Sequence, residues 1–239
     1  MTEICVPVVF KENECFNVGD FSIDNYFNDM QAKGILLANF KERINLLELV
    51  KKIGIPHAHN TDDKYVWDIQ PKRKKSELVR SLTAESFPLH TDCCFEEPVP
   101  TYFGLYVLQT DREGGGYTTL VDTRNIFPLC DKATIENLKK IYRFSVPREF
   151  FKGKNHLEAP IILENGGIRY RRECIMEEFC SSEQFVSLNR FDELINRPEF
   201  ATSFLIPSGS VLFVDNTRYL HGRTEIKDPE RHLQRIRYF

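Results

Sequence analysis

Three side chains in two distant stretches of this sequence have the chemistry of a divalent-metal site. His90-Thr91-Asp92 closes the run Ser86-Phe87-Pro88-Leu89. Side chains two apart on a strand point to the same face, so an imidazole and a carboxylate converge there without a special turn. His221 ends a second apolar run, within Val214-Asp215-Asn216-Thr217-Arg218-Tyr219-Leu220-His221-Gly222-Arg223. Two imidazoles and one carboxylate make the facial triad that holds Fe(II) on one side and leaves the opposite positions open. The same residues suit a three-ligand zinc hydrolase, and a strand-end histidine often only satisfies a backbone carbonyl, so the triad alone leaves the metal open.

A cluster beyond His221 adds an anion to the picture. In Arg231-His232-Leu233-Gln234-Arg235-Ile236-Arg237, the residues Arg231, Leu233, Arg235 and Arg237 share one strand face. Arginines facing a core are costly unless an anion or carboxylate meets them; the plain alternative is an edge strand whose arginines reach water. In Glu113-Gly114-Gly115-Gly116-Tyr117-Thr118-Thr119, the glycines permit a tight turn and Thr118 opens a strand with a hydroxyl donor.

In this order, His90-x-Asp92, Gly-Gly-x-Thr at 115–118, Val-Asp-Asn-x-Arg-x-x-His-Gly-Arg at 214–223 and the closing Arg-x-Leu-x-Arg from Arg231 resemble the Fe(II)/2-oxoglutarate-dependent dioxygenases, within them the clavaminate synthase and taurine dioxygenase (TauD)-like branch. The resemblance spans roughly Val66 to Phe239. It implies that His90, Asp92 and His221 bind iron, and that Arg231 and Thr118 hold the distal carboxylate of 2-oxoglutarate, with Thr119 as the fallback if the register slips by one. It also implies that Arg235 grips an acidic group of the primary substrate. The cofactors are then Fe(II), 2-oxoglutarate and O₂, and the products include succinate and CO₂. A planar guanidinium suits a dicarboxylic cosubstrate because its fork fixes both the position and the orientation of a carboxylate. Halogenating relatives replace the carboxylate of the triad with a small residue, so Asp92 disfavours halogenation; hydroxylation is the default outcome, with desaturation or ring closure left open.

The elements that must position these residues are mainly strands. From Tyr65 onward, short runs rich in β-branched and aromatic residues alternate with turn signals: YVWDI, SFPLHTD, TYFGLYVLQT, YTTLVD, RFSVPREF, PIILENGGIRYR, FLIPSGSVLFVDN and RHLQRIRYF. Asn165-Gly166-Gly167 and Pro207-Ser208-Gly209 read as tight turns between antiparallel neighbours. A helix is expected from the capping box Ser181-x-x-Gln184 to Pro198. Before Tyr65, a helix over 22–33 stopped by Gly34, a strand over 34–40 and an apolar stripe Ile44, Leu47, Val50, Ile53 form a mixed layer. The expected fold is a double-stranded β-helix (jelly-roll), mainly β with flanking helices. It makes a single oxygenase domain over 1–239, with an N-terminal layer over 1–64, a core over 65–239 and a helical insertion near 181–197.

With 239 residues, a net charge of −3, 41% hydrophobic and 28% charged residues, the chain is an ordinary globular one. It offers no broad cationic field, so nucleic acid is not an expected partner, and no apolar run reaches the roughly 18 residues of a membrane span. A cytoplasmic enzyme is expected, taking a small molecule such as an amino acid or another small acid; the oligomeric state stays open. The alternatives are a zinc-dependent hydrolase on the same ligands and a non-catalytic jelly-roll binding a small anion. Seven scattered cysteines without a CxxC read as reduced thiols, with Cys93-Cys94 and Trp67 read as core. Glu96 and Glu97, His57 and His59, and the basic run Lys72-Arg73-Lys74-Lys75 read as loop residues, and His156 and His232 have no assignable partner. Asp215 and Asn216 read as shaping the turn before His221.

Overall fold

The computed structural model describes residues 15–16, 21–58, 64–72, 80–150 and 153–239. Cys5, His59 and Arg73 to Lys75 lie outside them. In chain order the elements are β1 (Cys15–Phe16), α1 (Ile23–Lys33), β2 (Ile35–Phe40), α2 (Leu46–Val50), β3 (Pro56–His57), β4 (Val66–Ile69), β5 (Phe87–His90), β6 (Tyr102–Gln109), β7 (Thr118–Asp122), α3 (Thr123–Ile126), α4 (Lys132–Leu138), β8 (Ile141–Ser145), β9 (His156–Pro160), α5 (Ser182–Ile195), β10 (Ala201–Phe204), β11 (Ser210–Asp215), β12 (Tyr219–Arg223) and β13 (His232–Tyr238).

A seven-stranded sheet runs β1-β2-β11-β6-β13-β3, with β4 also on β13, and faces a four-stranded sheet β10-β7-β12-β5. This is the jelly-roll. Along β11 the period of two is read directly from the core: Val211 and Phe213 pack with Tyr26, Leu46 and Leu49 under the N-terminal helices, while Leu212 and Val214 pack with Leu120 and Tyr219 of the opposite sheet. A strand covered on both faces has no polar side to show, which is why Val-Leu-Phe-Val is a continuous apolar run. On β13, Leu233 faces between the sheets, whereas Ile236 and Tyr238 face the helices; the Tyr238 hydroxyl meets that of Tyr26 at 2.6 Å. Arg231, Arg235 and Arg237 thereby point between the sheets and are all buried, which removes the edge-strand alternative.

The expected elements form where their local signals agree. Ser22 accepts from Asn25 N and caps α1, and Gly34 ends it with φ 70°. Ser181 and Gln184 make the expected capping box of α5. The hairpin topology needs correction. β6 and β7, and likewise β10 and β11, lie in different sheets, so Pro207-Ser208-Gly209 turns the chain between sheets instead of closing a hairpin. Asn165-Gly166-Gly167 closes only the isolated bridge Ile162–Ile168. Among the described residues the one hairpin of consecutive strands is β8 with β9, and β9 (HLEAP) is too polar to read as a strand. Helices α3 and α4 arise inside the expected sheet, capped by Asp122 and Asp131. Together with α5 they cover the outer face of the four-stranded sheet through Val121, Leu138, Leu188, Phe191 and Leu220. Along the apolar stripe from Ile44 to Ile53, the five residues of α2 are helical, entered through Asn45, whose side chain accepts from both Leu47 N and Glu48 N.

Candidate active site

β5 and β12 pair antiparallel with His90 directly opposite His221, and the two rings lie 4.1 Å apart between centroids. Asp92 lies past the end of β5, in a turn whose next residue, Cys93, has φ 53°. The same-face argument from strand geometry is therefore only half of what brings Asp92 in. The rest is Asn216, fully buried, whose Oδ1 accepts from Asp92 N at 2.7 Å while its Nδ2 donates to Asp92 O at 3.1 Å and Pro100 O at 2.8 Å. Asn216 reads in the sequence as a turn residue; in the fold it clamps the backbone of a candidate ligand.

The donor atoms of His90, Asp92 and His221 all lie within 4.8 Å of one another, and each of the three side chains is buried. His90 Nε2 and His221 Nε2 stand 3.7 and 3.8 Å from Asp92 Oδ1. The His90 Nδ1 bonds Pro88 O at 2.9 Å, which makes Nδ1 the protonated nitrogen and leaves Nε2 its lone pair. His90 Nε2, Asp92 Oδ2 and His221 Nδ1 have no hydrogen-bond partner. Buried polar atoms are normally paired, so an unpartnered atom on each of three side chains clustered this closely fits a cation-binding site. Burial pushes both imidazoles below the usual histidine range, His221 furthest with help from His90, which keeps them neutral and able to donate. Burial alone would raise the Asp92 carboxyl, but Arg235 and the imidazoles outweigh it and hold it below the carboxylate range.

Arg231, Thr118, His90, His221 and Arg235 line one cavity. Arg231 is 5% exposed, its Nη1 has no partner, and burial followed by the nearby Arg223 pushes it down to about 9. A desolvated guanidinium with an unpartnered nitrogen on a cavity wall fits a carboxylate-bearing ligand. Thr118 is buried on that wall, whereas the Thr119 hydroxyl bonds Ser203 at 2.8 Å on the exposed side. The backbone of the glycine turn is laced to the segment before β13: Asp111 Oδ1 accepts from Glu113 N and Gly115 N, and its Oδ2 from Lys227 N and Asp228 N.

Arg235 donates to Asp92 Oδ1 at 2.8 Å and lines both this cavity and an adjoining one that holds Arg171 and Arg237. Sequence reasoning gave neither of the last two a role. Arg237 shows its same-face spacing with Arg235, but nothing local singles out Arg171. The remaining residues find ordinary partners. Glu96 pairs with His57 at 2.9 Å, His232 with Asp68 at 2.9 Å, and Glu97 with the buried Arg169; His156 bonds Asn155. Cys93 and Cys94 lie in a turn and not on a strand. Cys93 accepts from Arg237, and burial pushes the Cys94 thiol up beside Cys174, as suits a core thiol. Trp67 is only half-buried, packed beside the inter-sheet core.

Among the described residues no helix is long and apolar enough to cross a membrane. No curated protein matches the chain. Its fold is that of solved non-haem iron oxygenases. A crystal structure of asparagine oxygenase with Fe(II), 2S,3S-3-hydroxyasparagine and succinate matches with a TM-score of 0.77 at 19% identity, covering 91% of this chain and 77% of that one. The non-haem iron oxygenase OrfP in complex with Fe and alpha-ketoglutaric acid matches with a TM-score of 0.70 at 16% identity, covering 92% of this chain and 81% of that one. Over residues 37–237 the sequence matches the model of the taurine catabolism dioxygenase TauD, TfdA family, and the chain belongs to that family of dioxygenases.

Proposed function

We propose that this dioxygenase, a single oxygenase domain, hydroxylates a free amino acid or close derivative, with Fe(II) held by His90, Asp92 and His221 and 2-oxoglutarate anchored by Arg231 and Thr118. The supporting observation is the buried cluster of His90, Asp92 and His221, each with an unpartnered atom, two of whose members line a cavity that also holds the unpartnered Nη1 of Arg231. A zinc hydrolase would use the first half of that arrangement and have no need of the second. The amino-acid substrate is supported by the fold shared with asparagine oxygenase and OrfP, the latter also solved with (3S)-hydroxy-L-Arg.

When bound, Fe(II) with 2-oxoglutarate and O₂ supplies oxidative decarboxylation to succinate and CO₂ and the oxidising power for C–H hydroxylation. The protein's own residues do the positioning. Pro88 O orients the His90 ring, Asn216 fixes where Asp92 presents its carboxylate, and Arg231 aligns a carboxylate through a two-pronged contact. Arg235 lines the second cavity beside Asp92, where it orients an acidic group of the substrate.

The test is anaerobic addition of Fe(II) and 2-oxoglutarate, read by the weak visible charge-transfer band of the chelate. Arg231→Ala should raise the 2-oxoglutarate needed for the band roughly 100-fold or more, from the loss of two charge-assisted hydrogen bonds, while Fe(II) still binds. An unchanged requirement, or hydrolysis supported by Zn(II) without 2-oxoglutarate, refutes the assignment.

A further inference from the structure

The second cavity is the place where this chain's substrate preference is written. Its walls include Phe95, Phe150, Arg171, Arg235 and Arg237, and its only carboxylate among the described residues is Asp92. Asp92 already faces two guanidiniums, Arg235 at 2.8 Å and Arg237 at 3.8 Å, and it is a candidate ligand of a dication. Three further acids near in sequence to the cavity residues already have partners. Glu96 pairs with His57, Glu97 with Arg169, and Glu173 is shared between Arg80 at 2.9 Å and Arg171 at 3.0 Å. One carboxylate between two guanidiniums leaves a net positive charge at that end too.

The Arg171 side chain is held in place. Its backbone bridges to His90, and its guanidinium lies 5.0 Å over the Phe87 ring, which itself stacks on His90 at 3.9 Å. The Nε atoms of Arg171 and of Arg235, the latter 7% exposed, are buried and have no partner. The cavity thus presents the guanidiniums of Arg171 and Arg235, each with a buried donor to spare, and its one carboxylate among the described residues, Asp92, is already taken up by arginines.

Building on the function proposed above, we infer that the substrate is a dicarboxylic amino acid, one carboxylate meeting Arg235 and the second meeting Arg171. A neutral amide side chain would leave Arg171 with one weaker acceptor, and a basic side chain would meet like charge.

The test is calorimetric titration of protein loaded with Mn(II) and 2-oxoglutarate, at fixed ionic strength, with L-aspartate, L-asparagine, L-glutamate, L-glutamine and L-arginine. In one acid and amide pair, the acid should bind at least about 10-fold tighter than its isostere, with L-arginine weakest. Arg171→Gln should shrink that ratio to within about 3-fold, and Arg171→Lys should keep only part of it, because an ammonium supplies the charge without the fork or the stacking plane. The inference is overturned if an amide or L-arginine binds best, if Arg171→Gln leaves the ratio unchanged, or if none of the five binds. Loading with 2-oxoglutarate is measured in the same experiment: its failure sinks the cofactor reading, whereas its success with no acid preference sinks this inference alone.

Discussion

Gly116 is the position where one methyl group separates two effects. A Cβ added there would lie 2.8 Å from Arg231 Nε and 3.0 Å from its Cδ, and the residue holds φ 65°. Ordinary contact begins at 3.4 Å, so the Arg231 side chain must retreat by 3.4 − 2.8, or 0.6 Å. A forked guanidinium moved that far from its carboxylate loses the alignment of one of two charge-assisted hydrogen bonds, worth about 1.5–3 kcal/mol, or roughly 10- to 100-fold in affinity. The left-handed backbone costs a further ~1–2 kcal/mol of folding stability, about 2–8 °C in melting temperature for a chain of this size. Gly114 supplies the control: it holds φ 77°, but a Cβ there meets nothing within 4 Å. Gly114→Ala and Gly116→Ala should therefore lower the melting temperature by similar amounts, while only Gly116→Ala weakens 2-oxoglutarate in the anaerobic Fe(II) titration. Equal weakening by both, or by neither, would refute the placement of Arg231 at the cosubstrate.

Removing the clamp on Asp92 by Asn216→Ala leaves buried Asp92 N and Pro100 O without their partner, and should cost roughly 2–4 kcal/mol in urea unfolding and weaken Fe(II) binding as well. Thr118→Val should weaken 2-oxoglutarate by about 3- to 10-fold, whereas Thr119→Val, whose hydroxyl serves Ser203, should not, as read from succinate formation against cosubstrate concentration. Acid should loosen the glycine turn through Asp111. Burial raises that carboxyl, but its backbone N–H donors outweigh burial and lower it, so its contribution is complete above the ordinary value of 3.8 and is lost as pH falls below it. Asp111→Asn should flatten the acid limb of the stability profile while leaving its neutral and alkaline limbs parallel to wild type.

The clustering of the candidate metal ligands was legible because their signals are short-range: two residues apart at one strand end, one histidine at another. The arginine face was legible for the same reason, since a period of two survives whatever sheet the strand joins. What the sequence hid is long-range. Asn216 bonds Asp92 across 124 positions, and no property of Val-Asp-Asn distinguishes a clamp from a turn. Arg171 reaches the cavity only because an isolated bridge lays its backbone beside His90. The hairpin topology misled because β-rich runs with turns between them read alike whether successive strands pair or alternate between sheets. β9 was missed because its polar residues hide a strand that pairs only with β8.

The candidate histidine ligands and the candidate arginine anchors come from opposite sheets. His90, His221 and Thr118 belong to the four-stranded sheet, while Arg231 and Arg235 lie at the entry to and along β13 of the larger one. A cosubstrate gripped at both ends would act as a tie-bar across the sandwich, strengthening the whole barrel and not one loop. At a hundred times its dissociation constant such a ligand adds about 2.7 kcal/mol to the folded state. Heat resistance of this enzyme should then track the supply of a central metabolite, and the empty protein should be the form that proteases find first.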